Sequence, residues 1–527
     1  MPAQVSKNRP SQQHPTEGTQ AAHPARNFPI VAIGASAGGL EALEQFLGHV
    51  PPASGMAFVV IQHLDPDRKD MLCELLQRAT AMPVMPARNR MKIRPDSVYV
   101  IPPNTDISIL HGSLYLLEPV APRGLRLPID FFFHALAEDR REFAIGVILS
   151  GMGSDGTLGL RSIKEAGGLA LVQEPGTAKY DSMPKGAIAA GLADIVAPAE
   201  QLPLRIVETL RHLRPTAFGR NPPETETADQ RSAFDKVCIL LRARTGHDFS
   251  LYKKTTVYRR VERRMAIHQL DRIGDYVHYL RENQQEVDLL FKELLIGVTS
   301  FFRDPATWDY LQKQVLPGVL ATHSPGSILR AWVAGCSTGE EAFSLAIIFR
   351  EAQDQLPASE RLSLQIFATD LDPDAIEKAR RGLYPANIVA DVSEARLKRF
   401  FIDEGNGYRV NKEIREMVVF APQDVIMDPR FTKLDILTCR NLLIYLGAQL
   451  QKRVLPLFHY SLKPAGVLLL GSAESIGNFT DLFLPLEGKA RLFRRNDSQQ
   501  RSPALDFPTR DFPNKTEPFM DTKPEPV

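Results

Sequence analysis

The feature that most constrains the fold of this chain is the alternation of short apolar, β-branched runs with amphipathic segments of helical length. In the first half the runs are FPIVAIGAS, GMAFVVIQHL and FAIGVILSG; in the second half they are SILRAWVAGCS, LSLQIFATDLD, KLDILTCRN and GVLLLGSAE. Alternating strands and helices predict a parallel sheet covered by helices. We therefore predict an α/β fold in both halves.

Three polar, proline-containing stretches divide the chain. Residues 1–27 and 496–527 lack apolar periodicity and are predicted to be disordered tails, and residues 213–230 are predicted to be a linker. The ordered parts are a doubly wound parallel-sheet domain over 28–212 and a second domain with a helical N-terminal subdomain over 231–300 and a Rossmann-like part over 301–495.

Composition excludes several classes of protein. Lys and Arg number 63 against 62 Asp and Glu, so no global charge directs the chain to nucleic acid. No apolar run approaches the roughly 20 residues that span a bilayer, and the N-terminus lacks the apolar core of a secretory signal. The four cysteines form no CxxC pair, which fits reduced thiols. We predict a cytoplasmic protein without membrane insertion, nucleic-acid partner or metal site.

A candidate nucleophile follows the first strand. The segment Gly34–Gly38 fits the G-x-S-x-G nucleophile elbow, which lies between a strand and a helix and exposes Ser36 above the sheet. Amides at the start of the next helix then face a developing oxyanion. The alternative is a dinucleotide-type phosphate loop, but GASAGG does not match G-x-G-x-x-G.

Two further polar residues end neighbouring strand runs. His63 closes FVVIQHL, and Asp155 follows VILSGMGSDGT. Residues beyond the carboxyl ends of parallel strands converge on one crevice. Serine, histidine and an acid are the groups that acyl transfer from an ester requires. Alternatively, His63 is a structural histidine and Asp155 a turn residue. The order Ser–His–Asp disfavours the α/β-hydrolase fold, whose order is Ser–Asp–His.

These strings, with KIRPDSVYVIPPN, LSGMGSDGTLGL and QEPGTAKYDSMPKGAI, resemble the catalytic domain of CheB-type chemotaxis protein-glutamate methylesterases. The resemblance implies hydrolysis of glutamyl methyl esters and deamidation of glutamine. It implies Ser36 as nucleophile, His63 as base, Asp155 as the residue that orients it, and Met152 beside the oxyanion. Such esterases usually carry a receiver domain ahead of this one; only about 27 residues precede it here, so we expect no control by a receiver in cis.

In the second half, WVAGCSTGEE runs from a strand through a glycine loop into a helix. The carboxylates at the helix start suit its dipole, and they also suit a cofactor that carries a sulfonium and an ammonium group. A phosphate ligand would be repelled, which favours S-adenosylmethionine over a dinucleotide. Asp370 ends the next strand, where acids bind ribose hydroxyls. Asp372 is instead predicted to cap the following helix.

TSFFRD, AGCSTGEEAFSLA, ATDLD, PQDVIMDPRF and CRNLLIY together resemble CheR-type chemotaxis protein-glutamate O-methyltransferases. The resemblance implies that Tyr445 lies near the transferred methyl group, and Arg303 is an aligning cation for the acceptor carboxylate. Gly297 and Asp424 stand where the family usually has asparagine, and Ala342-Phe343 stand where it has proline–tyrosine. The implied cofactor contacts are Thr299, Arg303, Glu341, Asp370, Asp424, Val425, Asn441 and Leu442.

Before the second sheet, four arginines at i, i+3 and i+4 spacing form one basic helical face: Arg259, Arg260, Arg263 and Arg264. This face is either solvated or docks onto acidic helices of a chemoreceptor, as in the family. One domain is suited to make a methyl ester and the other to hydrolyse it. We therefore predict a bifunctional receptor-modifying enzyme whose two reactions are selected by its partner or by a separate response regulator. The rival hypotheses are a signalling scaffold with a degenerate methyltransferase half, and an RNA methyltransferase.

Overall fold

A computed structural model describes residues 28–51, 53–62, 71–119, 126–213, 228–295, 297, 299–405, 407–486 and 491–497. The predicted tail at 1–27, nearly all of the tail at 496–527, and most of the predicted linker lie outside these residues, as does His63. No helix in the described ranges combines the length and the apolar character that crossing a bilayer requires.

The first domain contains a sheet of seven strands in the order β10-β9-β8-β1-β2-β5-β3, and every pairing in it is parallel. A small antiparallel sheet, β4-β7-β6, lies beside it. The strands are β1 Ile30–Ala35, β2 Ala57–Gln62, β3 Val84–Pro86, β4 Met91–Lys92, β5 Ser97–Val100, β6 Asp106–Leu110, β7 Ser113–Leu117, β8 Ala144–Ile148, β9 Leu169–Gln173 and β10 Ile195–Ala197. The helices are α1 Gly39–Gly48, α2 Met71–Ala79, α3 Pro128–Arg140, α4 Thr157–Glu165, α5 Ser182–Ala189 and α6 Leu202–His212.

Both faces of this sheet are buried, as the uninterrupted apolar runs require. Along β1, Ile30 packs in one core with Phe132 of α3, whereas its neighbour Val31 packs in the opposite core with Phe46 of α1. The predicted doubly wound architecture is therefore confirmed. Because β2 and β8 pair with β1 on opposite sides, the carboxyl end of β1 is a topological switch point, where open α/β sheets form their crevices.

The second domain begins with four helices that enclose their own apolar core, including Phe234, Val261, Tyr276 and Leu290. They are α7 Ala228–Thr245, α8 Lys254–Ile267, α9 Ile273–Glu282 and α10 Gln284–Leu294. Two short helices, α11 Pro305–Tyr310 and α12 Leu316–Ala321, are joined by a π-helical turn and lead into the second sheet.

That sheet has the order β16-β12-β11-β17-β18-β20-β19. Its first five strands are parallel, β20 pairs antiparallel with β18, and β19 pairs antiparallel with β20. The four predicted strands are its centre, and the small antiparallel sheet β13-β15-β14 was not predicted. The strands are β11 Ile328–Ala334, β12 Ser363–Asp370, β13 Leu383–Pro385, β14 Phe401–Asp403, β15 Gly407–Val410, β16 Val418–Pro422, β17 Leu434–Cys439, β18 Leu462–Leu470, β19 Phe483–Pro485 and β20 Leu492–Arg495. The helices are α13 Glu340–Gln353, α14 Pro373–Arg381, α15 Glu394–Phe400, α16 Lys412–Arg415 and α17 Ala448–Ser461.

The prediction that the basic face of α8 is available for receptor docking, or solvated, is wrong. Arg260, Arg263 and Arg264 are 3%, 4% and 7% exposed, and Arg259 lies against Gly167 of the first domain. Helical spacing places these cations on one face, but it does not tell whether water or protein covers that face. Here α10 and the first domain cover it, and they supply the compensating carboxylates.

Candidate active sites

The turn after β1 has the geometry of a nucleophile elbow. β1 ends at Ala35, α1 begins at Gly39, and Gly38 between them has φ +68°. A Cβ on Gly38 would lie 2.8 Å from Tyr180 and 2.9 Å from Lys179, so glycine is required there for space as well as for conformation. Ser36 is half-buried at the tip of this turn, and its amide donates to Ser150 O at 3.0 Å.

The segment after β8 closes around this serine. A Cβ on Gly151 would lie 2.9 Å from Ser36 Cβ and 2.1 Å from Met183 Sδ, so only glycine allows this approach. The Ser150 hydroxyl donates to Ala37 O at 3.1 Å and accepts from Tyr180 N at 2.9 Å. The loop before α5 is thereby fixed beside the elbow. Met152, in the same turn as Gly151, is 58% exposed.

Asp155 lies in the turn between β8 and α4 and is 3% exposed. Its two carboxylate oxygens accept from Ile129 N at 3.1 Å and Asp130 N at 2.9 Å, at the start of α3. A carboxylate at a helix start is stabilised by the exposed amides and the helix dipole. Its orientation toward His63 remains a prediction, because His63 lies outside the described residues.

A cavity lies at the carboxyl ends of β11, β12 and β17. Its walls include all eight residues implied as cofactor contacts together with Tyr445. The α8–α10 side contributes Tyr252, Leu294 and Leu295, so the helical subdomain forms part of the wall.

Two glycines keep the loop between β11 and α13 open to this cavity. Gly335 has φ +76°, and a Cβ there would lie 3.3 Å from Leu442. Gly339, at the start of α13, has φ +95°, and a Cβ there would lie 2.9 Å from that of Ala379. The loop is held by amides of Gly335 and Cys336, which donate to Thr369 O at 2.8 and 2.9 Å.

Two acids of the cavity wall are held in fixed orientations. Asp370 accepts from Ser337 N at 2.8 Å and from Asp372 N at 3.0 Å, and Glu341 accepts from the Thr438 hydroxyl at 2.6 Å. Burial raises the pKa of Asp370, against these amides, and raises the pKa of Glu341, against Arg440. A ligand that brings positive charge relieves this cost, whereas a phosphate increases it. The wall therefore fits S-adenosylmethionine. Asp372 caps α14 by accepting from Asp374 N at 2.9 Å, as predicted.

Two of the three departures from the family pattern, Asp424 and Gly297, have local explanations. Asp424 lies 3.2 Å from His247 Nδ1 and accepts from Ile426 N at 2.8 Å. Burial alone would raise the pKa of Asp424, but the hydrogen bonds with His247 and Ile426 outweigh it and lower the pKa. A Cβ on Gly297 would lie 3.3 Å from Ser337 Oγ, so a larger residue there crowds the glycine loop.

Sequence reasoning missed several residues of this site. Glu474, 3% exposed, accepts from Asn441 N at 2.9 Å and Leu443 N at 2.7 Å and so fixes the loop after β17. The acid that ends the run GVLLLGSAE was a signal that could have identified Glu474. Tyr252 and Glu165, which line the cavity, and His247, which contacts Asp424, had no such signal, because each comes from a distant segment.

Comparisons with known proteins agree with both halves. Residues 31–206 match the family model of CheB methylesterase, 232–295 that of the CheR methyltransferase all-alpha domain, and 297–492 that of the CheR methyltransferase SAM binding domain. A chemotaxis protein methyltransferase of Listeria innocua is 33% identical over 236 residues, which are 45% of this chain and 87% of that protein. The Thermotoga maritima CheB methylesterase catalytic domain is 30% identical, covers 34% of this chain and 98% of that one, and has a TM-score of 0.33.

An uncharacterized 104.1 kDa protein of Rhodobacter capsulatus, encoded in the hypE 3′ region, is similar to both halves at once. It is 38% identical over 441 residues, which are 80% of this chain but 46% of that protein, so the chain spans less than half of this relative. The chain belongs to the CheR methyltransferase family, with S-adenosylmethionine as cofactor, and joins to it a CheB methylesterase domain.

Proposed function

We propose that this chain is a cytoplasmic enzyme that both installs and removes methyl esters on glutamate side chains of chemoreceptor helices. The observation that carries the proposal is the convergence of all eight expected cofactor contacts on one cavity, in a chain that also has a nucleophile elbow at Ser36. The domain boundaries predicted from the sequence are part of this proposal.

In the esterase half, Ser36 attacks the ester carbonyl and His63 accepts the serine proton. Asp155 orients the imidazole, and backbone amides of the elbow and the start of α1 stabilise the oxyanion. Methanol leaves from the tetrahedral intermediate with a proton from the imidazolium, and water then releases the carboxylate. A glutamine side chain enters the same sequence with ammonia as the leaving group, which gives deamidation.

In the methyltransferase half, S-adenosylmethionine would supply an electrophilic methyl group when bound. Glu341 and Asp370 would bind its cationic and ribose groups, and the loop from Gly335 would form part of its pocket. A glutamate carboxylate is ionised at pH 7 and needs no base, so the work of the protein is alignment. Arg303 aligns this carboxylate, and Tyr445 lies beside it.

Opposed reactions on one chain tune the charge of the receptor. Each methylation removes one negative charge and weakens repulsion between neighbouring acidic helices. Running both reactions at once only consumes cofactor, so a receptor state or a separate response regulator selects between them.

The test is incubation of the purified chain with methyl-labelled S-adenosylmethionine and receptor fragments. We expect base-labile label on receptor glutamates, and we expect that label to decay more slowly with Ser36→Ala than with the unmodified chain. A scaffold with a degenerate methyltransferase half predicts no heat in a calorimetric titration with millimolar cofactor, and that result would refute the enzymatic proposal. Strong salt dependence of RNA binding would favour an RNA substrate instead.

A further inference from the structure

A glutamate of the first domain lines the cofactor cavity of the second. Glu165 is the last residue of α4, and it contributes to the same wall as Arg303, Asn441 and Tyr445. Its Oε1 lies 3.5 Å from the Tyr445 hydroxyl, which donates to it. A carboxylate of the esterase domain therefore lies beside the residue expected to be nearest the transferred methyl group.

The backbone around Glu165 is fixed by buried arginines of α8. Arg260 donates to Lys164 O at 2.6 Å and to Glu165 O at 3.1 Å. The Lys164 ammonium, 5% exposed, forms ion pairs with Asp194 at 2.9 Å and with Glu293 of α10 at 3.3 Å. The end of α4 thus contacts the helical subdomain through its backbone carbonyls and through the Lys164 side chain. This contact between the domains sets the position of Glu165.

The surroundings of Glu165 are buried and carry positive charge. Burial raises the pKa of Glu165, and the positive charges of Arg303 and Arg260 and the hydrogen bond from Tyr445 oppose this rise without cancelling it. Glu165 also lines a wide cleft between the domains, so it stands where this cleft meets the cofactor cavity.

Glu341 is another carboxylate on the cavity wall, but both of its oxygens already have partners. Its two oxygens face the Thr438 hydroxyl at 2.6 Å and Arg440 at 3.5 Å. The contact of Glu165 with Tyr445, at 3.5 Å, is longer than the contact of Glu341 with Thr438.

We propose that Glu165 is itself a methyl acceptor of this chain's methyltransferase. The inference rests on the function proposed above. A Glu165 oxygen forms a bond to the methyl carbon of S-adenosylmethionine while the carbon–sulfur bond breaks, and its electron pair returns to sulfur to give S-adenosylhomocysteine. No proton is transferred, and the product is a neutral glutamyl methyl ester at the domain contact.

The test uses the full chain with Ser36→Ala, so that ester hydrolysis does not remove the product. The protein is incubated with S-adenosylmethionine without receptor, digested, and analysed by mass spectrometry. We expect the peptide that contains Glu165 to gain the mass of one methylene group in a base-labile form. Glu165→Ala abolishes this gain, and Glu165→Asp, which withdraws the carboxylate by more than an ångström, slows it by about 100-fold. Glu138→Gln, in an exposed glutamate of the same cleft, leaves it unchanged.

A second readout requires no turnover. Coupling of Glu165 to an amine by a carbodiimide is measured with and without S-adenosylhomocysteine. We expect bound S-adenosylhomocysteine to protect Glu165 from coupling but not Glu138, because Glu165 lines the cofactor cavity and Glu138 lines only the cleft. Methylation of receptor fragments with an unmodified Glu165 peptide would overturn this inference and leave the proposed function standing. Absence of both cofactor binding and receptor methylation would overturn both.

Discussion

Replacing Arg263 by methionine tests whether a buried ion cluster joins the two domains. Arg263 lies on α8, where it donates to Glu293 Oε1 at 2.7 Å and forms an ion pair with Asp194 of the first domain. The side chains of Arg263, Asp194 and Glu293 are 5%, 0% and 3% exposed. Lys164 and Arg260 supply the remaining positive charge.

The magnitude follows from what the substitution leaves behind. Methionine fills part of the space, but Asp194 and Glu293 then share fewer cations in a buried site. Removing one partner of a buried ion pair costs about 3–5 kcal/mol. Asp194 and Glu293 belong to different domains. We therefore expect part of this loss of free energy to weaken the contact between the domains and part to lower the free energy of unfolding.

Urea unfolding reports the stability, and small-angle scattering reports the separation of the domains. The control is Arg244→Met, which removes the same type of pair, with Asp288 at 2.9 Å, from a surface where both side chains are more than 40% exposed. We expect a much smaller loss of stability for the control, because solvent screens an exposed ion pair. Equal effects of the two substitutions, with unchanged scattering, would refute the assignment of this cluster as the joint.

Three further predictions concern the methyltransferase half. The Glu286 carboxylate accepts hydrogen bonds from Arg264 at 2.8 and 2.5 Å, from Tyr276 and from His268. Burial alone would raise the pKa of Glu286, but the hydrogen bonds from His268 and Arg264 lower it to about 2. Because the pKa of Glu286 in the folded chain lies below its ordinary value of 4.5, the ionised carboxylate stabilises the fold by about 3 kcal/mol above pH 4.5. This contribution is lost as the pH falls toward 2. Between pH 4.5 and pH 2 the urea midpoint should therefore fall less for Glu286→Gln than for the unmodified chain. Gly339→Ala places a Cβ 2.9 Å from that of Ala379 at φ +95°, so we expect S-adenosylhomocysteine to bind at least about tenfold more weakly in calorimetry, whereas unchanged affinity would contradict the loop geometry. His247→Ala removes the hydrogen bond that lowers the pKa of Asp424, so we expect that pKa to rise, with cofactor affinity that falls more steeply at low pH than in the unmodified chain.

Local patterns were sufficient for the central strands of the two large sheets and for the placement of Asp370 and Asn441 at strand ends, whereas the other expected cofactor contacts came from the resemblance to CheR-type methyltransferases. The apolar runs became the central strands because their residues alternate between two cores, as Ile30 and Val31 do. Residues placed just after those runs, such as Asp370 and Asn441, meet because parallel strands end at the same edge. Neither step requires knowledge of how distant segments pack.

The rest of the site depends on packing that no local pattern encodes. His247 lies in the helical subdomain and reaches Asp424 across 177 positions, and Glu165 reaches Tyr445 across 280. For the arginines of α8, the sequence pattern predicted an accessible face that the fold buries. Their spacing is the same for a solvated face and for a face covered by Glu293 and Asp194, and only the tertiary structure distinguishes the two.

One short helix links the two candidate sites. α4 begins two residues after Asp155 and ends at Glu165, a rise of about 13 Å for its nine residues. Its first end adjoins the acid that is held against α3, and its last end is tied by Arg260 to the helical subdomain. Both ends are therefore fixed by buried contacts. An acceptor glutamate that binds beside Tyr445 meets the last turn of the same helix whose first turn adjoins Asp155. The two candidate sites thus share one structural element.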